Sequence, residues 1–158
     1  MAAEAVVEMT EATKSFGHVL AVDHLSLALA PGQLFGLIGP SGCGKTTTIR
    51  LLLGVLTPNG GKVRVFGTPP PHFTTHQREQ IGYAPQIFFL YPTLTVLENM
   101  RFVAGLFGMG WLRRRQRTRE VLQFLELWDA RRRLAGQLSG GMRRRLELAC
   151  ALVHDPSL

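Results

Sequence analysis

Eight consecutive residues, Gly39-Pro-Ser-Gly-Cys-Gly44-Lys45-Thr46, carry the spacing G-x-x-x-x-G-K-[ST]. The chemistry of that spacing is phosphate binding. Gly39, Ser41, Gly42, Cys43 and Gly44 form a loop whose glycines let the backbone curl, so that successive N–H groups point inward at phosphate oxygens. A helix following directly adds its positive N-terminal end. Lys45 is expected to reach the β- and γ-phosphates of a nucleotide as a point charge, and the Thr46 hydroxyl to be a Mg²⁺ ligand. Thr47 is a further candidate, for the α-phosphate. The competing reading, a glycine-rich turn without a ligand, is weakened because loop, Lys, Thr and flanking elements all agree.

A second constellation is Leu138-Ser139-Gly140-Gly141-Met142. A Ser followed by two glycines at a helix start supplies a hydroxyl, closely approachable N–H groups and a helix dipole, which together suit an anion. Alone, the same residues read equally well as a plain N-cap. Other groups carry less. His72 and His76 have His-x₃-His spacing, but Pro69–Pro71 beside them indicates a loop and no third ligand is evident. Arg113–Arg115 with Arg117 and Arg119, Arg131–Arg133 and Arg143–Arg145 read first as solvated helix faces, with membrane or lipid contact next and nucleic acid last.

These side chains need elements to hold them. From Leu25 to Leu29 apolar and small residues alternate, Pro31-Gly32 makes a turn, and the apolar run Leu34 to Ile38 follows, so two strands are expected. After the glycine loop, Ile49, Leu52 and Leu53 share a helical face and Gly54 sits at a C-cap position. Asn59-Gly60-Gly61 is a turn, Val63 and Val65 alternate with Lys62 and Arg64 in a strand, and Ile81 to Ala84 reads as a short buried strand. Thr95-Val-Leu-Glu98 matches a capping box, with Leu97, Met100, Ala104 and Phe107 following at helical spacing. Further helices are expected over Thr118 to Trp128 and from Ser139, with Leu146, Ala149, Cys150 and Val153 on the apolar face of the latter. An α/β part is thus followed by a helical part.

In this arrangement the chain resembles the nucleotide-binding domain of ATP-binding cassette (ABC) transporters, in wording nearest to bacterial exporters of the drug-resistance type. GPSGCGKT corresponds to the Walker A loop and LSGGM to the family signature, with Met142 where Gln is usual. Gln86 in Tyr83-Ala-Pro-Gln86 corresponds to the Q-loop glutamine, and Phe16 in Lys14-Ser-Phe-Gly17 to the aromatic that stacks on adenine, for which a core Phe is the competing reading. The resemblance implies an α/β P-loop NTPase (RecA-like) core with an antiparallel β part and an inserted helical subdomain. It divides the chain into 1–93, a nucleotide-binding core; 94–137, the helical subdomain; and 138–158, the signature and its helix.

The function implied is an ATP-binding subunit that couples ATP binding and hydrolysis to export, with ATP and Mg²⁺ as cofactors. Two copies would sandwich the nucleotide, Ser139, Gly140 and Gly141 of one facing the Walker A loop of the other. Gln86 would sense Mg²⁺ and the attacking water and touch a membrane-spanning permease subunit. The family's Mg²⁺-holding Asp, catalytic Glu and γ-phosphate-sensing His follow the signature helix; 158 residues do not reach them, so last core strands are expected to be missing, apolar surface to be exposed, and this chain to hydrolyse little ATP alone. Neither His154 nor Asp155 substitutes for them. The alternative is a soluble ABC-type ATPase acting on nucleic acid or ribosomes, a partner the sequence does not favour.

Composition sets outer limits. Hydrophobic residues make up 46% and charged ones 18%, with 17 Gly and 9 Pro, which excludes collagen-like, low-complexity and wholly disordered chains. The net charge of +7 comes mostly from Arg and favours phosphate, carboxylate or acidic-surface partners. Cys43 and Cys150 are too few for a disulfide framework, so a reducing compartment is the default. The uncharged stretch His24 to Gly44 is broken by Pro31, Gly32, Gly36, Gly39 and Pro40, so it is not expected to span a membrane and any membrane role is expected to be peripheral; the family resemblance implies a cytoplasmic protein, peripheral on the inner membrane face.

Overall fold

A computed structural model describes residues 5–86 and 90–158, which form two compact units, Met1–Gln77 and Arg78–Leu158. In the first, β1 (Val7–Phe16), β2 (Val19–Leu29) and β3 (Gly60–Val65) form an antiparallel sheet in the order β2-β1-β3. Helix α1 (Lys45–Leu52) packs on this sheet. A short helix, α2 (Thr75–Glu79), spans the division between the units.

Strand β1 shows how the buried face is chosen. Alternation puts Val7 and Met9 inside and would then bury Glu11. Instead the register shifts between Met9 and Ala12, Glu11 takes a φ of 49°, and its N–H is received by Ser26 Oγ at 2.9 Å. The irregularity turns the acid outward and buries Ala12 completely. Met9, Ala12, Val22, Leu51 and Val63 form the core of this unit. Of the α1 side chains expected on one apolar face, Leu52 packs there but Ile49 is exposed; the face turned to the sheet is set by Thr48 and Leu51, one turn apart. Gly54, with φ 69°, follows the helix end as expected.

Leu34 to Ile38, expected as a strand, pairs with no strand among the described residues, and Leu34 and Ile38 stand almost fully exposed. A strand exists only through ladder bonds to a neighbour, so an apolar run without one stays irregular.

In the second unit, α3 (Val96–Leu106), α4 (Trp111–Phe124) and α5 (Gly140–Leu152) pack around Val96, Met100, Ala104, Leu122, Leu127, Leu146, Ala149 and Val153. The capping box of α3 is formed: Glu98 N–H donates to Thr95 Oγ1 at 3.2 Å and Thr95 N–H to Glu98 Oε2 at 2.7 Å. Buried Asn99 fastens the preceding loop, accepting from Tyr91 N–H at 2.8 Å and donating to the Tyr91, Leu94 and Thr95 carbonyls. Helix α4 starts seven residues before the expected Thr118, because Trp111 and Leu112 extend it outward from the core without needing burial. Ile81 to Ala84 is not a strand. Its one backbone bond to a distant segment among those described is Gly82 N–H to the Leu158 carbonyl, beside Ser157 and Leu158 N–H with the Gln80 carbonyl, too short a run for a ladder.

Candidate functional site

The phosphate loop lies between the turn at Pro31-Gly32 and α1, in the first unit. Two of its glycines are required by backbone conformation: Gly42 has φ 85° and Gly44 φ 90°. At Gly44 space forbids anything larger, since a Cβ there would overlap the Ala21 carbonyl of β2. Strand β2 and the loop are thus in backbone contact, which fixes where α1 begins. Gly44 is the N-cap of α1, no side chain caps the helix, and its first turn contains no acid. The amides of Lys45, Thr46 and Thr47 therefore remain for an external acceptor.

Lys45 folds over the loop. Its Nζ donates to the Gly39 and Pro40 carbonyls, each at 2.7 Å, and lies 3.5 Å from Cys43 Sγ. No carboxylate pairs with it among the described residues. A cation held by neutral carbonyls above uncapped amides is a positive cradle without a counter-ion. Thr48 Oγ1 donates to the Gly44 carbonyl at 3.1 Å, bracing the first turn, while the side chains of Ser41 and Thr46 stand exposed. Beside the loop opens a groove of about 360 Å³ lined by Ala21, Val22, Asp23, Leu37, Gly42 and Lys45. The donor set fits a polyphosphate. No cluster of three or more His, Cys, Asp or Glu side chains suited to a metal occurs among the described residues.

Phe16 ends β1 with about half its surface exposed, and Lys14 Nζ lies 5.4 Å from its ring centroid. Its partly open ring is available for stacking rather than consumed by the core.

Gln86 and the 138–142 segment belong to the second unit. Ser139 is the N-cap of α5, its Oγ accepting from Met142 N–H at 3.3 Å. Capping and anion binding are compatible here, because Gly140 and Gly141 are exposed, their amides make no bond among those described, and nothing lies within 4 Å of where their Cβ atoms would be. Gln86 is exposed on its loop. What holds that loop is Arg144 of α5, whose Nη1 donates to the Pro85 carbonyl at 3.0 Å. Sequence reasoning missed this residue. It stands within an Arg triplet read as a solvated face, and successive helical positions point about 100° apart, so a run of like residues gives no sign of which one turns inward.

Other arginines are similarly engaged. Arg145 pairs with Glu126 at 3.0 Å, and Arg131 donates to the Trp128 carbonyl while its guanidinium sits 4.5 Å from the Trp128 ring centroid. Arg117 binds Asp155 at 2.9 Å. His154 stacks on Phe107 with centroids 3.7 Å apart and donates from Nε2 to the Ile81 carbonyl at 3.2 Å.

The chain is 43% identical over 155 residues to the Nod factor export ATP-binding protein I of Paraburkholderia xenovorans, covering 98% of this chain and 51% of that one. It is 36% identical to the probable multidrug ABC transporter ATP-binding protein YbhF of Escherichia coli, over 98% of this chain and 27% of that protein. The chain thus spans about half or less of the curated relatives it matches. Among solved structures it superposes on cbiO1 from Clostridium perfringens with a TM-score of 0.87 at 21% identity, covering 97% of this chain and 63% of that one, a likeness of fold. It also superposes on the bacterial ABC transporter cassette MJ0796, described as dimeric, with a TM-score of 0.82 at 28% identity, over 95% of this chain and 70% of that one. The α/β P-loop cassette expected from the motifs is therefore the fold, and with the family matching residues 22–158, the chain belongs to the ABC transporters.

Proposed function

We propose that this chain is the nucleotide-binding part of an export transporter's ATPase subunit, coupling ATP binding and hydrolysis to movement of a substrate across a membrane. The observation that carries the reading is the Lys45 ammonium held at 2.7 Å by two loop carbonyls above uncapped amides, a cradle of net positive potential. The names of the relatives, Nod factor export and multidrug transport, support the export direction.

In this reading Gly39, Ser41, Gly42, Cys43, Gly44, Lys45, Thr46 and Thr47 bind the phosphates and Phe16 stacks on the base. Thr46 and Gln86 attend Mg²⁺. Bound MgATP supplies a γ-phosphoryl group for transfer to water. Ser139, Gly140 and Gly141, with their open amides, would meet the nucleotide held by a second copy, and the dimeric description of MJ0796 supports such pairing. A permease segment is the fitting cover for the groove of about 330 Å³ beside the Gln86 loop, lined by Tyr83, Pro85, Leu90, Phe107 and Cys150 among others. No described helix is long and apolar enough to cross a membrane, so the membrane path would come from that permease.

The test is titration with a fluorescent ATP analogue in the presence of Mg²⁺. Lys45→Ala should weaken binding about 100-fold or more with little change in stability, since the removed bonds are to solvent-accessible carbonyls. Equal affinity of wild type and variant would overturn the reading.

A further inference from the structure

The turn joining α3 to α4 combines exposed apolar side chains with unpaired cations. Leu106 is 71% exposed, Trp111 66% and Leu112 74%. Between Glu98 and Glu120 the sequence contains no carboxylate and six arginines. Arg101, Arg113, Arg114 and Arg115 make no ion pair among the described residues. Arg115 lies 5.8 Å from the Trp111 ring centroid, and Arg101, Trp111, Arg114 and Arg115 line an open groove of about 360 Å³.

The tip is also firmly built. Met109 is buried beneath it, Met109 N–H reaches the Ala104 carbonyl at 3.2 Å, and Arg114 donates from Nε and Nη2 to the Met109 carbonyl at 3.3 and 3.1 Å. The contrast with Trp128 is informative. That ring is partly buried against the core, with Arg131 and Arg119 beside it, whereas Trp111 projects from the start of its helix.

We propose that this tip binds the surface of an anionic phospholipid bilayer, Trp111 and Leu112 entering the interface and Arg101, Arg113 and Arg115 meeting phosphate headgroups. An indole on a rigid turn suits the headgroup level, and clustered guanidiniums without carboxylates suit a negative surface whose phosphates adjust their spacing, whereas a folded acidic partner would have to match fixed positions. The proposal is independent of nucleotide binding, which is measured separately on the same variants.

The experiment uses the 158-residue chain carrying Trp128→Phe, so that Trp111 is the sole indole, mixed with vesicles of phosphatidylcholine with or without phosphatidylglycerol. Binding should require the anionic lipid, shift Trp111 emission to the blue, and be quenched by brominated acyl chains. Arg101→Gln, Arg113→Gln and Arg115→Gln should each reduce partitioning about fivefold, and Trp111→Ser should reduce it further without changing ATP-analogue affinity. Equal binding to neutral vesicles, indifference to the Arg substitutions, or capture by a soluble acidic polypeptide in place of vesicles would overturn it.

Discussion

Arg144 and Pro85, separated by 59 positions, are joined by a 3.0 Å hydrogen bond from the guanidinium Nη1 to the carbonyl, so the helix that begins at the signature glycines directly holds the loop that carries Gln86. The same Nη1 lies 2.9 Å from Glu147 Oε2, whose side chain is 4% exposed, while Glu147 Oε1 is buried with no partner among the described residues. One guanidinium therefore neutralises a buried carboxylate and positions a loop.

Arg144→Ala should destabilise the chain by about 1–2 kcal/mol. The figure sits below that for a fully buried pair because Arg144 itself is about half exposed. Adding Glu147→Leu should recover part of the loss by removing the uncompensated carboxylate. Urea unfolding followed through Trp128 fluorescence checks both; a double variant less stable than Arg144→Ala would contradict the pairing.

Gly44→Ala should cost about 2 kcal/mol or more and weaken nucleotide-analogue binding, because a Cβ would overlap the Ala21 carbonyl at a left-handed φ. Gly140→Ala should leave stability nearly unchanged, since its surroundings are open. Thermal melts of the two variants side by side decide; similar losses in both would mean that loop contact with β2 is not the cause.

The two cysteines should separate by reactivity. Cys43 is exposed on the phosphate loop, whereas burial and the neighbouring Glu147 push the Cys150 thiol up to about 12, keeping it protonated at neutral pH. Ellman's reagent should titrate one thiol in the folded protein and two in denaturant, with ATP slowing the first. Two fast thiols in the native chain would be the contrary result.

Burial holds the His154 imidazole below its ordinary value of 6.5, against the opposing bond to the Ile81 carbonyl. The unfolded chain thus takes up its proton first as pH falls, so stability is retained above about 6.5 and declines below it, by at most about 1.4 kcal/mol per pH unit. His24, raised by exposed Asp23, has the opposite sign, and the lowered Glu98 and Glu120 act only below about 4.5. His154→Phe keeps the stack on Phe107 and should flatten the wild-type slope between pH 6.5 and 5. Parallel pH profiles for the two proteins would remove His154 as the cause.

Much of the site was legible because it is local. A phosphate loop is contiguous residues with fixed backbone demands, and the capping box at Thr95 and Glu98 and the N-cap at Ser139 are satisfied within one helical turn. The strand expected over Leu34 to Ile38 was not found, because apolar character states a wish for burial while strand identity requires a neighbour's ladder. Helix α4 likewise began earlier than its buried face suggested, since Trp111 and Leu112 are helical yet exposed.

The sequence by itself determined the chemistry of the loop, the order of its motifs and the family to which they belong, since each is encoded by neighbours along the chain. Tertiary structure alone decided that Gly44 must be Gly against Ala21, that Ala12 rather than Glu11 faces the core, that Arg144 among three arginines reaches Pro85, and that Trp111 stays open while Trp128 is covered. Those are contacts between distant segments, and which atoms meet depends on packing and register rather than on spacing along the chain.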